Sequence, residues 1–174
     1  MKILIDGRLY GLENAGLGRY LINLIAELSK IDSENKYILL LRKKYFESLN
    51  LPANWEKVLA DFRHYTLSEQ LMLPGLIKKE SPDLVHFPHI NVPVFYRGKY
   101  VVTIHDMLMH KFSGLSATTL PASLYYLKEL IYKLVFAAAV KGAVKIIVPS
   151  ETVKKELIDR YRVDIGKVGV IYEG

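Results

Sequence analysis

A histidine and an aspartate follow a run of apolar, β-branched residues near the middle of this sequence. Residues 101–104 read Val-Val-Thr-Ile, and His105 and Asp106 come directly after them. Such a run predicts a buried central strand of a parallel sheet. Ligands of open α/β sheets bind outside the carboxyl ends of the strands, so we expect this pair to face a ligand. The carboxylate could orient the imidazole, accept a hydrogen bond or cap the next turn.

A second candidate site is the glycine-bearing segment 16–20, Gly-Leu-Gly-Arg-Tyr, which opens into a predicted helix. Glycines let backbone amides approach a ligand, and a helix amino terminus attracts anions. Binding of a phosphate or sugar is one interpretation, and a tight turn that binds nothing is the other. The dinucleotide fingerprint is incomplete because position 21 is leucine. Arg42 stands where that fingerprint has an acid and could receive a 2′-phosphate, so an NADP-binding oxidoreductase domain is an alternative.

Two further histidines, His86 and His89, flank the end of the predicted strand 84–87. A strand-end histidine can bond a ligand hydroxyl or merely satisfy a neighbouring carbonyl, and both readings stay open for His86. Together with His105 they do not predict a zinc site, since Pro88 disfavours the helix that an i, i+3 pair would need. We expect no metal.

The hydrophobic pattern alternates between strands and helices along the whole chain. Strands are predicted at 2–6, 37–41, 57–62, 84–87, 100–104, 144–148 and 168–172, and helices at 18–30, 67–80, 121–141 and 151–161. We expect Pro74-Gly75 to kink or split the second helix. The alternation predicts an α/β fold: a Rossmann-like, doubly wound, mainly parallel sheet with helices on both faces.

Composition narrows the function classes. The 174 residues suit one domain, and the absence of cysteine excludes disulfides, thiolate metal sites and a cysteine nucleophile. Neither a Gly-x-Ser-x-Gly elbow nor a Walker sequence is present, which argues against a typical hydrolase or P-loop enzyme. The net charge of +6 comes from scattered basic residues, so a nucleic-acid groove is not indicated.

The predicted helix 121–141 carries Lys128, Lys133 and Lys141 among many aromatic and aliphatic residues. A basic, apolar helix suits a bilayer interface, where ammonium groups meet anionic lipid. A core helix with lysines on its wet side has the same composition. A non-catalytic, membrane-associating module is therefore a further alternative.

Several segments, in this order and spacing, together carry a family resemblance. They are residues 16–20, 82–88, 102–106, 146–157 and 167–174. The chain resembles the amino-terminal domain of the family 4, group 1, retaining glycosyltransferases, which have the two-domain GT-B fold. The resemblance covers nearly the whole chain.

The resemblance implies roles for these residues. In that family the glycine segment lies close to the donor phosphates and the acceptor, so Gly16 and Gly18 take that role here, with Arg19 near them. The histidine matching His105 contacts the transferred sugar, and Asp106 lies beside it.

Two strand ends complete the implied site, Ser150 on the acceptor side and His86 among the donor- or acceptor-binding candidates. The implied reaction moves a hexose from a nucleotide sugar to a glycan or lipid-linked acceptor, with retention at the anomeric carbon. The nucleotide sugar is the substrate, and no cofactor is implied.

The resemblance also implies that residues 1–174 are a single acceptor-side domain of a larger enzyme. In the family a second domain binds the nucleotide and supplies a Glu-x7-Glu pair, and Glu173-Gly174 stands at the crossing into it. The isolated domain is therefore expected to be inactive. We expect a cytoplasmic enzyme of surface polysaccharide or lipopolysaccharide biosynthesis, in peripheral contact with the inner face of the membrane.

Overall fold

The computed structural model describes residues 1–107 and 121–172. Within these ranges the strands are β1 (Lys2–Asp6), β2 (Lys36–Leu41), β3 (Trp55–Leu59), β4 (Leu84–Phe87), β5 (Tyr100–Thr103), β6 (Lys145–Val148) and β7 (Val168–Val170). The helices are α1 (Ala15–Ile31), α2 (Lys43–Phe46), α3 (Leu67–Glu80), α4 (Ala122–Gly142) and α5 (Glu151–Tyr161). Short 3-10 turns cover Leu12–Asn14 and Ile165–Lys167.

The strands form one sheet in the order β3-β2-β1-β4-β5-β6-β7, and every neighbouring pair is parallel. All carboxyl ends therefore lie at one edge. The direction of winding reverses between β1 and β4, which is the switch point where such sheets bind ligands. This arrangement confirms the predicted Rossmann-like α/β fold.

Alternation along the strands divides the core into two layers. In β1, Leu4 belongs to one cluster and Ile5 to the other, because successive side chains of a strand point to opposite faces. Leu21 and Ile25 of α1 join the cluster of Ile5. The buried apolar residues of α3, α4 and α5 join the cluster of Leu4. Helices thus cover both faces, as predicted.

Helix α1 begins at Ala15, three residues earlier than predicted, so the glycine segment is not a loop before the helix. It is the first turn of the helix itself. Leu21 and Ile25 of this helix are buried and Leu28 is half-buried, so one face of it packs on the sheet. The first residue of this helix is hard to predict because the glycines in its first turn have low helix propensity.

Helix α3 runs unbroken through Pro74, so the predicted split was wrong. Thr66 caps its start by accepting a hydrogen bond from the Glu69 amide at 3.2 Å. Leu73 and Ile77 are buried on either side of the proline. Their packing offsets the hydrogen bond that proline removes, because most helix stability in proteins comes from tertiary contacts.

Strand ends differ from the predictions by a few residues. β3 covers 55–59 rather than 57–62, and β7 ends at Val170 rather than at 172. Glu173 and Gly174, the predicted domain crossing, lie outside the described residues. Across the described ranges, no helix combines the length and the hydropathy needed to span a bilayer.

Candidate active site at the carboxyl edge of the sheet

Hydrogen bonds join the start of α1 to the ends of β4 and β5. His86 Nε2 lies 2.8 Å from Thr103 Oγ1, and the Tyr20 hydroxyl lies 3.2 Å from the same oxygen. The Tyr20 ring also packs edge-on against His105, with 4.8 Å between centroids. The glycine turn and His105 therefore lie in one site, with Tyr20 between them.

A hydrogen bond orients the ring of His105. Nε2 lies 2.9 Å from the carbonyl oxygen of Pro88, and only a protonated ring nitrogen can donate to that oxygen. His105 is half-buried and Asp106 is exposed at the end of the same segment. The pair lies at the carboxyl edge, as the sequence predicted.

Burial keeps the other histidines of this edge neutral. It lowers the pKa of His86 to about 4, and the positive potential of His105 acts in the same direction. Burial likewise lowers the pKa of His64 and of His89 to about 4 each. At neutral pH these rings exchange hydrogen bonds without adding positive charge, which suits hydroxyl groups better than phosphates.

A buried ion network lies beneath the end of β1. Arg8 donates from Nε to Asp6 Oδ1 at 2.8 Å and from Nη2 to Asp6 Oδ2 at 2.6 Å. The same Nη2 reaches Glu69 Oε1 at 2.6 Å, and the Arg8 and Glu69 side chains are fully buried. Burial alone would raise the pKa of Asp6, but the charge and hydrogen bonds of Arg8 outweigh it and hold that pKa below its ordinary value.

The network also anchors two segments that border the site. The second oxygen of Glu69 accepts hydrogen bonds from the Tyr65 amide, at 2.7 Å, and from Asn91 Nδ2. The guanidinium of Arg8 lies over the ring of Phe62, 4.9 Å from its centroid. Its Nη1 is buried and has no hydrogen-bond partner in the described part of the chain.

This network could not be predicted from the sequence, because its charged residues come from separate elements. Arg8 follows the strand-end Asp6 at i+2, which is a usable signal. Glu69 sits 61 residues away from Arg8 on a helix of ordinary composition. Only the fold brings them together.

The two glycines of the first turn of α1 have different surroundings. A Cβ added to Gly18 would lie 1.8 Å from the carbonyl oxygen of Gly11, so this position needs glycine for packing. A Cβ added to Gly16 would meet nothing within 4 Å. Gly16 thus leaves open space beside the helix amino terminus, and Arg19 is exposed on the same turn.

The backbone that enters α1 is strained. Ala15 has φ 50° and ψ −130°, a conformation that residues with a side chain rarely adopt. The preceding Asn14 makes no side-chain capping bond to the first-turn amides. Strained, uncapped amides at a helix start suit an anionic ligand.

Ser150 lies at the end of β6, as predicted, where it caps helix α5. Its Oγ accepts a hydrogen bond from the Val153 amide at 3.3 Å. Arg42, the residue behind the NADP alternative, has its Nε 3.3 Å from Asp61 Oδ1. In the described ranges, no group of three or more histidines and carboxylates could hold a metal ion.

Residues 15–174 match the family model described as Glycosyltransferase Family 4. The chain belongs to glycosyltransferase family 4. The resemblance drawn from the sequence is thereby confirmed. The NADP-binding oxidoreductase alternative is not supported, since Arg42 pairs with an acid and the family is that of a transferase.

Among solved structures, the chain is similar to a glycosyltransferase from Rickettsia africae ESF-5. The identity is 17% and the TM-score is 0.47 over 99% of this chain. The chain spans 43% of the length of that protein. Curated protein sequences contain no significant match.

Proposed function

We propose that this chain is the acceptor-binding half of a retaining glycosyltransferase, which moves a hexose from a nucleotide sugar to a glycan or lipid-linked acceptor. The observation that carries this proposal is the joining of His105, Tyr20 and the first turn of α1 at the carboxyl edge of a family 4 sheet. A sugar held at that point would contact the imidazole while its phosphates face the helix start.

The donor phosphates bind at the start of α1 in this proposal. Its first-turn amides receive no side-chain cap from Asn14, and the helix dipole favours an anion there. The open space at Gly16 lets a phosphate approach the backbone. Gly18 acts indirectly, by allowing the loop around Gly11 to pack against this turn.

His105 and Asp106 contact the transferred hexose. In this proposal the imidazole of His105, which Nε2 anchors to the carbonyl oxygen of Pro88, contacts a hydroxyl of that sugar. His86 supports this arrangement through Thr103 and Tyr20, and is a positioning residue because it is buried behind them. Ser150, which caps the start of α5, contacts the acceptor in this proposal.

The reaction needs groups from a second half. Leaving-group phosphates must be stabilised as charge develops on them, and the charges near the start of α1 are mostly paired within this chain. In the family, the second domain binds the nucleotide and supplies the pair of glutamates. We therefore expect the 174-residue chain alone to be inactive.

The experiment is a transfer assay with a panel of nucleotide sugars, using the 174-residue chain and any longer form that its gene encodes. Release of nucleoside diphosphate measures turnover, and NMR of the product gives its anomeric configuration. The proposal expects turnover only in the longer form, with the donor configuration retained. Turnover by the 174-residue chain, or an inverted product, contradicts it.

His105→Ala tests the site itself. We expect this substitution to lower kcat/KM of the longer form about 100-fold or more, because the transition state, on which charge develops, loses a contact with the enzyme. Lys30→Ala, on the exposed last turn of α1, is the control and should leave kcat/KM unchanged. Equal activity of His105→Ala and the wild type would remove His105 from the site.

A contact with the membrane is a second proposed property, carried by helix α4. Leu124, Leu127, Ile131 and Leu134 follow one another at helical spacing and are 47 to 60% exposed. They face away from the side that packs on the sheet. Lys128 is exposed nearby.

An exposed apolar helix face bordered by lysine suits the surface of an anionic bilayer. Co-sedimentation with phosphatidylglycerol vesicles tests this, with Ile131→Glu expected to weaken binding. Ile165→Glu, at an exposed position of a 3-10 turn outside α4, is the control. Absence of vesicle binding by the wild type would exclude the contact. We propose the inner face of the cytoplasmic membrane as the surface that this helix contacts.

A further inference from the structure

Two side-chain hydrogen bonds join helix α3 to the segment that follows β4. Asn91 donates from Nδ2 to Oε2 of Glu69, and both residues are buried. Gln70, the next residue of α3, accepts a hydrogen bond through Oε1 from the Val94 amide at 2.8 Å. The start of α3 therefore holds residues 88–94 at two points.

This segment carries the carbonyl group that orients His105. Its first residue is Pro88, whose carbonyl oxygen lies 2.9 Å from His105 Nε2. Asn91 follows Pro88 by only three residues, so a shift of the backbone at Asn91 changes where this carbonyl lies and how it points. Hydrogen bonds weaken steeply as their angle departs from linear, so the orientation of the imidazole depends on that carbonyl.

The group that holds Asn91 is itself rigid. Glu69 is completely buried, and its other oxygen accepts from Arg8 Nη2 at 2.6 Å. Arg8 also donates from Nε to Asp6, the last residue of β1, at 2.8 Å. A hydrogen bond from an amide to a buried carboxylate is charge-assisted and therefore stronger than one between neutral groups. Asn91 is thus tied to β1 as well as to α3.

Apolar contacts hold the same segment against the core. Ile90 and Val92, on either side of Asn91, are buried in the cluster of Leu4. Hydrophobic contacts are non-directional, so they fix the depth of the segment but not the direction of its carbonyls. The hydrogen bond of Asn91 supplies that direction. If Asn91 served packing alone, removal of its bond would leave His105 unaffected.

We propose that Asn91 is a positioning residue, which holds the Pro88 carbonyl where it orients the imidazole of His105 toward the transferred sugar. This inference rests on the proposed glycosyltransferase function. Because Asn91 is only 6% exposed, it acts through Pro88 and not by touching the substrate.

The first experiment is NMR of the 174-residue chain with 15N-labelled histidines. We expect Asn91→Ala to shift the imidazole nitrogen signals of His105, because the bond to Pro88 lengthens or breaks. His105→Ala identifies these signals by their loss. Asn54→Ala is the matched control and should leave them unchanged, since the Asn54 amide also bridges backbone carbonyls, but ahead of β2 at the amino edge of the sheet.

The second experiment is a double-mutant cycle in the active longer form. Asn91→Ala should lower kcat/KM about tenfold or more, because a small misplacement of a contacting group is costly. In the His105→Ala background the same substitution should lower kcat/KM less than about twofold, because the ring that Asn91 positions is already absent.

Thermal unfolding checks that each variant is folded. If Asn91→Ala is not, Gln70→Ala replaces it, because this variant loses only the bond to Val94 and should shift the same His105 signals by less. Gln70→Glu keeps an acceptor oxygen for the Val94 amide and should restore the wild-type signals.

Unchanged His105 signals in a folded test variant, equal shifts in Asn54→Ala, or equal losses of kcat/KM in both backgrounds would overturn the proposal. The NMR result does not depend on turnover. Absence of transfer by the longer form therefore refutes the proposed function alone, whereas an active enzyme whose His105 signals do not respond to Asn91→Ala refutes the positioning role alone.

Discussion

Alanine substitutions of Gly16 and Gly18, in the first turn of α1, distinguish a glycine that is needed for packing from one that is needed for ligand access. Both substitutions gain helix propensity, up to about 1 kcal/mol in a helix interior and less near the end. Their surroundings are opposite. The new Cβ at position 18 would lie 1.8 Å from the Gly11 carbonyl oxygen, whereas at position 16 it meets nothing within 4 Å.

The 1.8 Å contact cannot persist, because real Cβ atoms essentially never come within 3.0 Å of a non-bonded heavy atom. The backbone around Gly11 must therefore move by more than an ångström. Overpacking of this kind costs about 1–3 kcal/mol. After the gain in propensity, Gly18→Ala should destabilise the chain by about 1–2 kcal/mol, which lowers Tm by about 2–8 °C.

Gly16→Ala should instead raise the free energy of unfolding by about 0.5 kcal/mol. In the active longer form it should nevertheless lower transfer, since its methyl group fills the space proposed for the donor phosphate. Urea unfolding followed by circular dichroism gives both stabilities, with the transfer assay run in parallel. Wild-type stability in Gly18→Ala, or equal destabilisation by both substitutions, would refute the packing argument.

Three further predictions concern stability. Ala15→Gly should stabilise the chain by about 1 kcal/mol, because it relieves the backbone at φ 50°; urea midpoints check this, and an unchanged midpoint argues against strain. Glu69→Ala should cost about 3–5 kcal/mol in urea unfolding, because it breaks a fully buried ion pair, and a loss below 1 kcal/mol contradicts that network. The pKa of His86 is about 4 in the fold against about 6.5 when unfolded, so only the unfolded state takes up this proton between those values. His86 should therefore contribute a fall in stability of up to about 3 kcal/mol as pH drops from 6.5 to 4, and His86→Gln should make the profile less steep while the contributions of His64 and His89 remain.

Much of the fold was predictable because its signals are local. Buried strands of a parallel sheet are short continuous apolar runs, and all seven predicted strands exist with shifts of a few residues. Strand ends such as His105 and Ser150 could be placed at one edge from the alternation alone. The split at Pro74 was wrong because local backbone chemistry favours a break there, while the core packing of Leu73 and Ile77 decides otherwise.

The sequence by itself determined the class of this protein: a parallel α/β domain of a glycosyltransferase family, with His105 and Asp106 after a buried strand. The tertiary structure alone decided which side chains meet there. It placed Tyr20 between His105 and Thr103, gave Gly16 and Gly18 different roles, and closed a buried network between Arg8 and Glu69. The physical reason is that periodicity reports which residues are buried along one element, whereas distances between elements depend on how the sheet and its helices pack.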